Sequence, residues 1–173
     1  MSQISNLRQA EAVNKLKELA EDINICLFCN DLQIKEPSSY RPMSTKKVDD
    51  EGNIWFFSDR NSNKNKAIAE GNNTIQLIYA HPAKVSFLIV TGQAEIIYDQ
   101  NKVAELWNSL DKTWFKEGKD DPAISLIRIR PEKAHYWDAK GNRMINFLKM
   151  AASAISGKTL VEGEEGDLRL KRD

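Results

Sequence analysis

Cationic and hydroxyl side chains are concentrated between residues 40 and 66, and their order predicts an anion site. A polar strand that begins near Arg41 turns through residues 49–53 and returns as an aromatic strand over residues 54–59. Ser62 and Lys64 follow, where a short helix is expected to begin. Free N–H groups and the positive dipole end of a helix attract phosphate, and a lysine adds a point charge. The segment therefore suits a ligand with a phosphate at one end and a flat ring at the other.

The same residues also fit a half-exposed strand followed by a solvated polar loop. Arg41 and Lys46 are separated by an odd number of positions, so on one strand they project from opposite faces. Arg41 would share its face with Met43 and Thr45. Pro42 removes one ladder donor, which is typical of an edge strand or a bulge. Spacing alone leaves both interpretations open.

The overall composition is that of an ordinary globular chain of one domain. The 173 residues include 25 Lys and Arg and 25 Asp and Glu, so the formal net charge is zero. A balanced charge argues against binding a nucleic-acid backbone, which needs a basic surface. The apolar runs are too short to span a bilayer. No secretory signal is recognisable at the N-terminus, so we expect a cytoplasmic protein that binds neither nucleic acid nor membrane.

The two cysteines and two histidines do not predict a redox or metal centre. Cys26 and Cys29 lie within an apolar run that is typical of a strand, where residues three apart face opposite sides at roughly 10 Å. That separation is too large for a disulfide. We therefore interpret both as buried strand cysteines. His81 and His135 have no recognisable nucleophile partner, and no cluster of acidic residues predicts a metal site.

Periodicity predicts a mainly β domain with a few short helices. Strands are expected near residues 25–30, 38–48, 53–58, 74–80, 84–98 and 124–138, and helices over residues 3–23 and 146–155. Ser62 should cap a short helix, and Asp99 should open another that buries Val103, Leu106, Trp107 and Leu110. Residues 112–122 are irregular, which favours a surface loop over a lid. We expect one domain over residues 1–157 and a charged, mobile tail over residues 158–173.

Five short motifs together resemble a known family. They are Arg41-Pro42-Met43, Trp55-Phe56-Phe57-Ser58-Asp59, Ser62-x-Lys64, residues 90–95 (Val-Thr-Gly-Gln-Ala-Glu) and Tyr136-Trp137-Asp138. Their order and spacing resemble the bacterial general stress proteins of the pyridoxamine 5'-phosphate oxidase-like group, over about residues 5–157. The resemblance implies an FMN-binding split barrel, an antiparallel six-stranded barrel of Greek-key type with peripheral helices.

The resemblance also implies a cofactor site. Its residues would be Arg41, Met43, Ser44, Thr45, Phe57, Ser58, Ser62, Lys64 and Trp137. Arg41, Ser62 and Lys64 would hold the phosphate, and the strand around Met43 would run along the flavin ring. Members of the family are homodimers with the flavin at the subunit interface, so Trp137 would reach the ring from the partner chain. FMN is the implied cofactor, with FAD as the alternative.

Departures from the oxidases argue against oxidation of vitamin B6. Phe87 stands where the oxidases have a ring-contacting glutamine, and the helix over residues 102–110 lacks the arginine that binds their substrate phosphate. After Trp137, the string Arg143-Met144-Ile145 keeps only the arginine of the oxidases' Arg-Leu-His string. Asn63 also replaces the usual arginine between Ser62 and Lys64.

Four functions therefore remain open from the sequence. The first is an FMN-dependent oxidoreductase whose substrate and catalytic residues are unassigned, and the second is a stress protein that sequesters or delivers flavin without turnover. The third is a split-barrel protein whose site has diverged to bind another ligand, such as a deazaflavin or haem. His135 near Trp137 is weak support for haem. The fourth is a purely structural dimeric module.

Overall fold

The computed structural model describes residues 3–4, 7–30, 32, 40–139 and 164–170. They form a curled, mainly antiparallel sheet with helices on its surface. The strands are β1 (Gln3–Ile4), β2 (Leu7–Arg8), β3 (Ile25–Cys29), β4 (Tyr40–Ser44), β5 (Lys47–Val48), β6 (Ile54–Asp59), β7 (Thr74–His81), β8 (Ser86–Ile97), β9 (Ile124–Asp138) and β10 (Glu164–Arg169). The helices are α1 (Gln9–Ile23), α2 (Asn63–Ala69) and α3 (Gln100–Leu106), and two 3₁₀ helices cover Ser109–Thr113 and Gly118–Asp120. Among these residues, no helix has both the length and the apolarity to cross a membrane.

The long strand β9 organises the sheet. The strand order is β1-β10-β9-β8-β7-β3-β4, and β8 pairs with β9 along most of its length. On its other edge β9 pairs first with β6 and then with β10, so the sheet forks along this strand. The register shifts after Thr91. A Cβ at Gly92 would lie 2.4 Å from the carbonyl oxygen of Arg130, so the close approach at this irregularity requires glycine.

The core lies inside the curl, beneath α1. Leu16 and the other apolar residues on one face of α1 are buried. They join a cluster in which Phe28 and Phe56 pack edge to face with ring centroids 5.9 Å apart. Tyr79 and Tyr136 are fully buried in the same cluster. Each such side chain contributes about 1.5–3 kcal/mol through burial, so this cluster fixes the curl of the sheet.

A second, smaller apolar cluster lies on the opposite face of β6. It contains Trp55, Val103, Leu106, Phe115, Ile124 and Leu126. The expected cap of α3 is confirmed, because the Asp99 carboxylate accepts from the backbone N–H groups of Asn101 and Lys102. The expectation for Leu110 is wrong, since it is 77% exposed. Its position falls in the 3₁₀ helix after α3, where the helical period that predicted burial no longer applies.

The N-terminal helix is shorter than the sequence predicts. It begins at Gln9, and the preceding β1 and β2 pair in parallel with β10. The expected strand over residues 38–48 is two strands, because the chain leaves β3 after β4 and joins β6 through β5. Both differences arise because distant strands supply hydrogen-bond partners that a local pattern does not show.

Part of the expected mobile tail belongs to the sheet. Residues Glu164–Arg169 form β10, which pairs with β9 in antiparallel register. Leu168 is 2% exposed and joins the main core. The expectation of mobility is therefore wrong for these residues. The predicted domain boundary at residue 157 and the predicted helix over residues 146–155 lie outside the described residues and stay predictions.

The two cysteines are buried on β3 and form no disulfide. Burial raises the pKa of the Cys26 thiol to about 12, although a hydrogen bond with Tyr79 opposes the shift. A thiol with so high a pKa is a poor nucleophile at neutral pH. The interpretation of Cys26 and Cys29 as buried strand cysteines is confirmed.

Candidate functional site

The turn between β6 and α2 places Ser62 at the start of the helix, as predicted. The Ser62 hydroxyl accepts a hydrogen bond from the backbone N–H of Asn65 at 3.2 Å, so Ser62 is the N-cap of α2. The backbone N–H of Ser62 donates to the carbonyl of Asp59, and that of Arg60 donates to the carbonyl of Ala123. These bonds hold the start of α2 against the ends of β6 and β9.

A buried polar network lies directly behind this turn. The Lys64 ammonium donates to the Ser58 hydroxyl and lies 3.5 Å from the Ser62 hydroxyl. Ser58 donates to the Asn65 side-chain carbonyl at 2.7 Å, and the Asn65 amide donates to Ser125 at 2.8 Å. Ser125 in turn donates to the backbone carbonyl of Ser58. The hydroxyl groups of this network therefore hold the Lys64 ammonium in place.

Lys64 is unusual because it is buried without an ion-pair partner in the part of the chain that the structure describes. It is 7% exposed, and no ion pair involves Lys64 or Arg41 among the residues that the structure describes. Burial, with a smaller contribution from repulsion by Arg41, lowers the pKa of Lys64 to about 8, and attraction by Asp59 opposes the shift. A cation from β4 and a cation from the first turn of α2 thus act on each other.

This arrangement suits a compact dianion such as a phosphate group. Each charge-assisted hydrogen bond from a cation to a phosphate contributes roughly 1.5–3 kcal/mol. The two cations supply such donors. The Ser62 hydroxyl, which donates to the Asn65 side-chain carbonyl at 3.2 Å, lies 3.5 Å from the Lys64 ammonium. Because α2 has only seven residues, we assign the attraction for an anion to the side chains and not to a helix dipole.

On β4 and at Thr45, directly after it, the predicted residues divide between two environments. Met43 packs against the main core and Thr45 is buried, with its hydroxyl 2.8 Å from the Tyr79 hydroxyl. Ser44 is exposed and donates to the Asn24 side chain at 2.6 Å. The alternation expected along this strand is therefore present, and the Ser44 side chain points away from the face of Met43.

Phe57 and Ser58 project from opposite faces of β6. Ser58 joins the polar network, whereas Phe57 packs against Trp107 and Phe115 in the second cluster. The Lys46 ammonium lies 5.0 Å from the centre of the Phe57 ring. Lys46 also donates to both carboxylate oxygens of Asp111 at 2.8 Å. The Phe57 side chain is thus separated from Lys64 by the strand itself.

Trp137 lies at the far end of β9 from the polar network. It is twelve positions beyond Ser125 on the same strand, a separation of up to about 40 Å in an extended chain. Its ring packs edge to face with His135 at 4.4 Å. The His135 Nδ1 lies 2.6 Å from an Asp167 carboxylate oxygen. The ring contact of Trp137 and the hydrogen bonds of Lys64 thus involve different residues.

An apolar surface surrounds Trp137, and we call it the outer face. It comprises Ile25, Leu27, Ile78, Phe87, Ile89 and Trp137 on neighbouring strands. Register aligns Leu27 with Ile78, and Phe87 with Trp137. Ile25 is 60% exposed and Leu27 is 42% exposed. Contiguous exposed apolar side chains of this kind mark interaction surfaces.

The sequence did not identify Asn65 or Ser125 as part of the site. Ser125 is directly opposite Ser58 in the pairing of β6 with β9. The signal in the sequence was a single serine within the apolar run of residues 124–127, and the structure shows that this serine is 0% exposed. Among the described residues, no group of three or more acidic, histidine or cysteine side chains is arranged to hold a metal ion.

Comparison with known proteins gives the family. The profile "Pyridoxamine 5'-phosphate oxidase like" matches residues 11–161. Protein bli-3 of Neurospora crassa is 24% identical over 113 residues, which are 61% of this chain and 54% of that protein, so the chain spans about half the length of this curated relative.

Two solved structures share the fold. A general stress protein 26 from Jannaschia sp. CCS1 has a TM-score of 0.76 and 22% identity, with 92% of this chain and 98% of that chain covered. The general stress FMN/FAD binding protein from Xanthomonas citri has a TM-score of 0.64 and 22% identity, with 78% and 93% covered. These similarities confirm the expected split barrel and the resemblance to general stress proteins. The chain belongs to the pyridoxamine 5'-phosphate oxidase-like family.

Proposed function

We propose that the protein binds FMN, with its phosphate between Arg41 and Lys64, and uses the bound flavin in an oxidation–reduction reaction. The observation that carries this proposal is the buried Lys64, which is held by hydroxyl groups and repelled by Arg41. A buried ammonium without an acidic partner is costly. A phosphate dianion would supply the missing negative charge, so the residues present fit the cofactor.

The flavin ring would extend from this phosphate position along β4, past Met43. The Xanthomonas citri neighbour is described as an FMN/FAD binding protein, which supports a flavin as the ligand. When bound, the flavin supplies the redox chemistry. The protein's own residues bind and orient it, and Thr45 is held in place by its bond with Tyr79.

A homodimer is part of the proposal. The outer face gives the protomer an apolar surface that a second copy could cover, and such burial favours association. Trp137 lies on this face, far along β9 from Ser125. In a dimer, Trp137 of the partner subunit would reach the ring while the phosphate stays with Arg41 and Lys64.

Oxidation of vitamin B6 is not part of the proposal. Phe87, at the position of the oxidases' glutamine, is partly buried and is paired with Trp137 across β8 and β9 on the outer face. Its apolar ring offers no hydrogen bond to a flavin. The substrate of the reaction is therefore a different one.

The first experiment is an absorbance spectrum of the purified protein, followed by titration with FMN and riboflavin. The variant Lys64→Met should weaken FMN binding by about 1.5–3 kcal/mol, the value of a hydrogen bond to a charged group, and should affect riboflavin little. Lys66→Met removes an equal charge from an exposed position of the same helix and should change neither affinity. Equal losses for FMN and riboflavin would contradict the phosphate assignment.

A colourless protein that binds neither FMN nor FAD would overturn the flavin proposal. Haem and deazaflavin titrations would then test the remaining ligands. If flavin binds, steady-state turnover with a reduced nicotinamide and an electron acceptor separates an oxidoreductase from a protein that stores flavin. Absence of turnover with a panel of donors and acceptors would favour storage.

A further inference from the structure

We propose that His135, held by Asp167, donates a proton to the substrate of the flavin reaction and accepts it in the reverse direction. The proposal rests on the proposed function and deepens it, because it assigns to that site a catalytic residue and a class of substrate. Asp167 is then a positioning residue, which acts through the imidazole. The two side chains come from neighbouring strands, β9 and β10.

His135 lies on the outward side of the sheet, next to Trp137. The residues that flank it on β9, Ala134 and Tyr136, belong to the main core, so the side chains of His135 and Trp137 project to the other side. Their rings pack edge to face with centroids 4.4 Å apart. The His135 side chain is 38% exposed, so a small molecule can reach it. In the proposed dimer, His135 of the partner subunit therefore accompanies Trp137 of the partner subunit to the flavin ring.

The bond between His135 and Asp167 determines which imidazole nitrogen exchanges the proton. Asp167 lies directly opposite His135 in the pairing of β9 with β10, and one of its carboxylate oxygens lies 2.6 Å from Nδ1. An ionised carboxylate can only accept hydrogen bonds, so Nδ1 carries a hydrogen and donates it. The lone pair of the neutral imidazole is then on Nε2, which makes no hydrogen bond within the described part of the chain. Nε2 is therefore the atom that takes up and releases a proton.

A proton donor at this place defines the class of substrate. A carbonyl compound that is reduced by two electrons takes up two protons, of which one arrives with the hydride that the flavin supplies. His135 in its doubly protonated form supplies the other: the Nε2–H bond breaks, an O–H bond forms on the substrate, and the imidazole becomes neutral. Solvent then restores the proton. In the reverse direction, neutral Nε2 accepts the hydroxyl proton of an alcohol that loses a hydride. The site therefore fits carbonyl compounds and the corresponding alcohols.

Other titratable side chains are less suited to this role. The Nδ1 of His81 accepts a hydrogen bond from the backbone N–H of Lys84 at 3.3 Å, and no carboxylate pairs with His81 among the described residues. Its neutral form therefore carries the hydrogen on Nε2, the opposite of His135. Lys64 is directed into the polar network, and the Cys26 thiol is buried with a pKa raised to about 12. His81 thus provides an internal control for His135.

The first experiment measures the tautomers of both histidines in the flavin-free full chain. Nitrogen-15 NMR of the imidazole rings at about pH 9, where histidine is ordinarily neutral, should show the hydrogen on Nδ1 in His135 and on Nε2 in His81. Asp167→Ala should remove the preference for Nδ1–H at His135 and leave His81 unchanged. Glu165→Ala removes an equal charge from the same strand and should leave both tautomers unchanged.

The second experiment follows reoxidation of the photoreduced FMN complex of the full chain by two acceptors. Menadione takes up two electrons and two protons, whereas ferricyanide takes up one electron and no proton. His135→Gln should slow the reaction with menadione by about 100-fold or more, the range of general acid catalysis, and should leave the reaction with ferricyanide unchanged. Asp167→Ala should slow the menadione reaction to a smaller extent. His81→Gln should change neither rate, and circular dichroism checks that each variant is folded.

A menadione reaction that His135→Gln leaves unchanged, or an equal slowing of both acceptors, would overturn the assignment of His135. A hydrogen on Nε2 of His135 in the unmodified chain would overturn the role of Asp167 and the assignment with it. Failure of the proposed function is a different result, in which the chain does not bind FMN. That result overturns both proposals, whereas an intact menadione reaction in a flavin-loaded His135→Gln protein overturns only this one.

Discussion

At the scale of single residues, Lys64 affects stability and binding in opposite directions. Its ordinary pKa is about 10.4, whereas burial and Arg41 lower its pKa in the folded protein to about 8. Between these two pH values the unfolded chain binds more protons than the folded one. The free energy of unfolding therefore rises with pH through this window. Below pH 8 the buried ammonium is charged in the folded protein, and its full destabilising effect is present.

We predict that Lys64→Met stabilises the ligand-free protein. At pH 7 the free energy of unfolding should rise by about 1–3 kcal/mol, because methionine fills a similar volume without a buried charge. The gain should shrink near pH 10, where Lys64 is already neutral in the folded state. Urea denaturation at the two pH values measures both effects.

The control for this prediction is Lys66→Met on the exposed side of α2, which should change stability by less than about 0.5 kcal/mol. Saturating FMN should cancel most of the stability advantage of Lys64→Met, because the wild type gains about 1.5–3 kcal/mol more from binding. A loss of stability in Lys64→Met at pH 7 without ligand would contradict the burial argument.

At the scale of elements, β10 is held by its neighbours and not by its own sequence. The segment Glu164–Arg169 is charged and contains a glycine, both unfavourable for a strand. It is nevertheless paired with β9 on one side and with β1 and β2 on the other. Leu168 contributes a side chain to the main core.

We predict that Leu168→Ala destabilises the protein by about 2–4 kcal/mol, through lost burial and the cavity that remains. Arg169→Ala, at the next position but exposed, should cost less than about 0.5 kcal/mol. Chemical denaturation of the two variants measures the difference. Similar small effects for both would mean that β10 is not integrated into the cooperative unit.

These elements show what the sequence could and could not predict. Alternation of apolar residues located the long strands, and the side-chain chemistry of Ser62 and Asp99 located two helix starts, because both signals are local. The start of α1 was missed because its preceding strands depend on β10, which is distant in sequence.

The candidate site was predictable to a similar extent. The cations and the capping serine were visible as residue types near one expected turn. The burial of Lys64 could not be predicted, because it depends on Ser58, Asn65 and Ser125. Ser125 lies 60 residues from Asn65 in the sequence. The absence of an acidic partner among the described residues also required the fold, since acidic residues are frequent nearby in the sequence.

At the scale of the whole molecule, the two parts of the proposed site lie at opposite ends of β9. Its first half pairs with β6 and supports the polar network, whereas Trp137 and the outer face lie at its other end. A standard interface buries about 800 Å² on each partner. If the outer face contributes to such an interface, dimer formation and ring binding depend on the same residues, while phosphate binding does not.

This division predicts that Leu27→Glu yields a folded monomer, because Leu27 is already 42% exposed in the protomer and a charge within an apolar interface is costly. Leu110→Glu, at a leucine that is 77% exposed on the 3₁₀ helix after α3, should remain dimeric. Analytical ultracentrifugation of both variants measures the oligomeric state. A Leu27→Glu protein that stays dimeric would exclude the outer face as the interface.

Flavin titrations of the same two variants then test the link between assembly and binding. Leu27→Glu should weaken FMN and riboflavin by similar factors, because the monomer lacks Trp137 of the partner subunit at the ring and keeps Arg41 and Lys64 at the phosphate. Lys64→Met should instead weaken FMN alone. One variant that weakens both ligands equally and another that weakens FMN alone would separate the ring end of the site from its phosphate end. Identical selectivity in both would contradict a site divided between subunits.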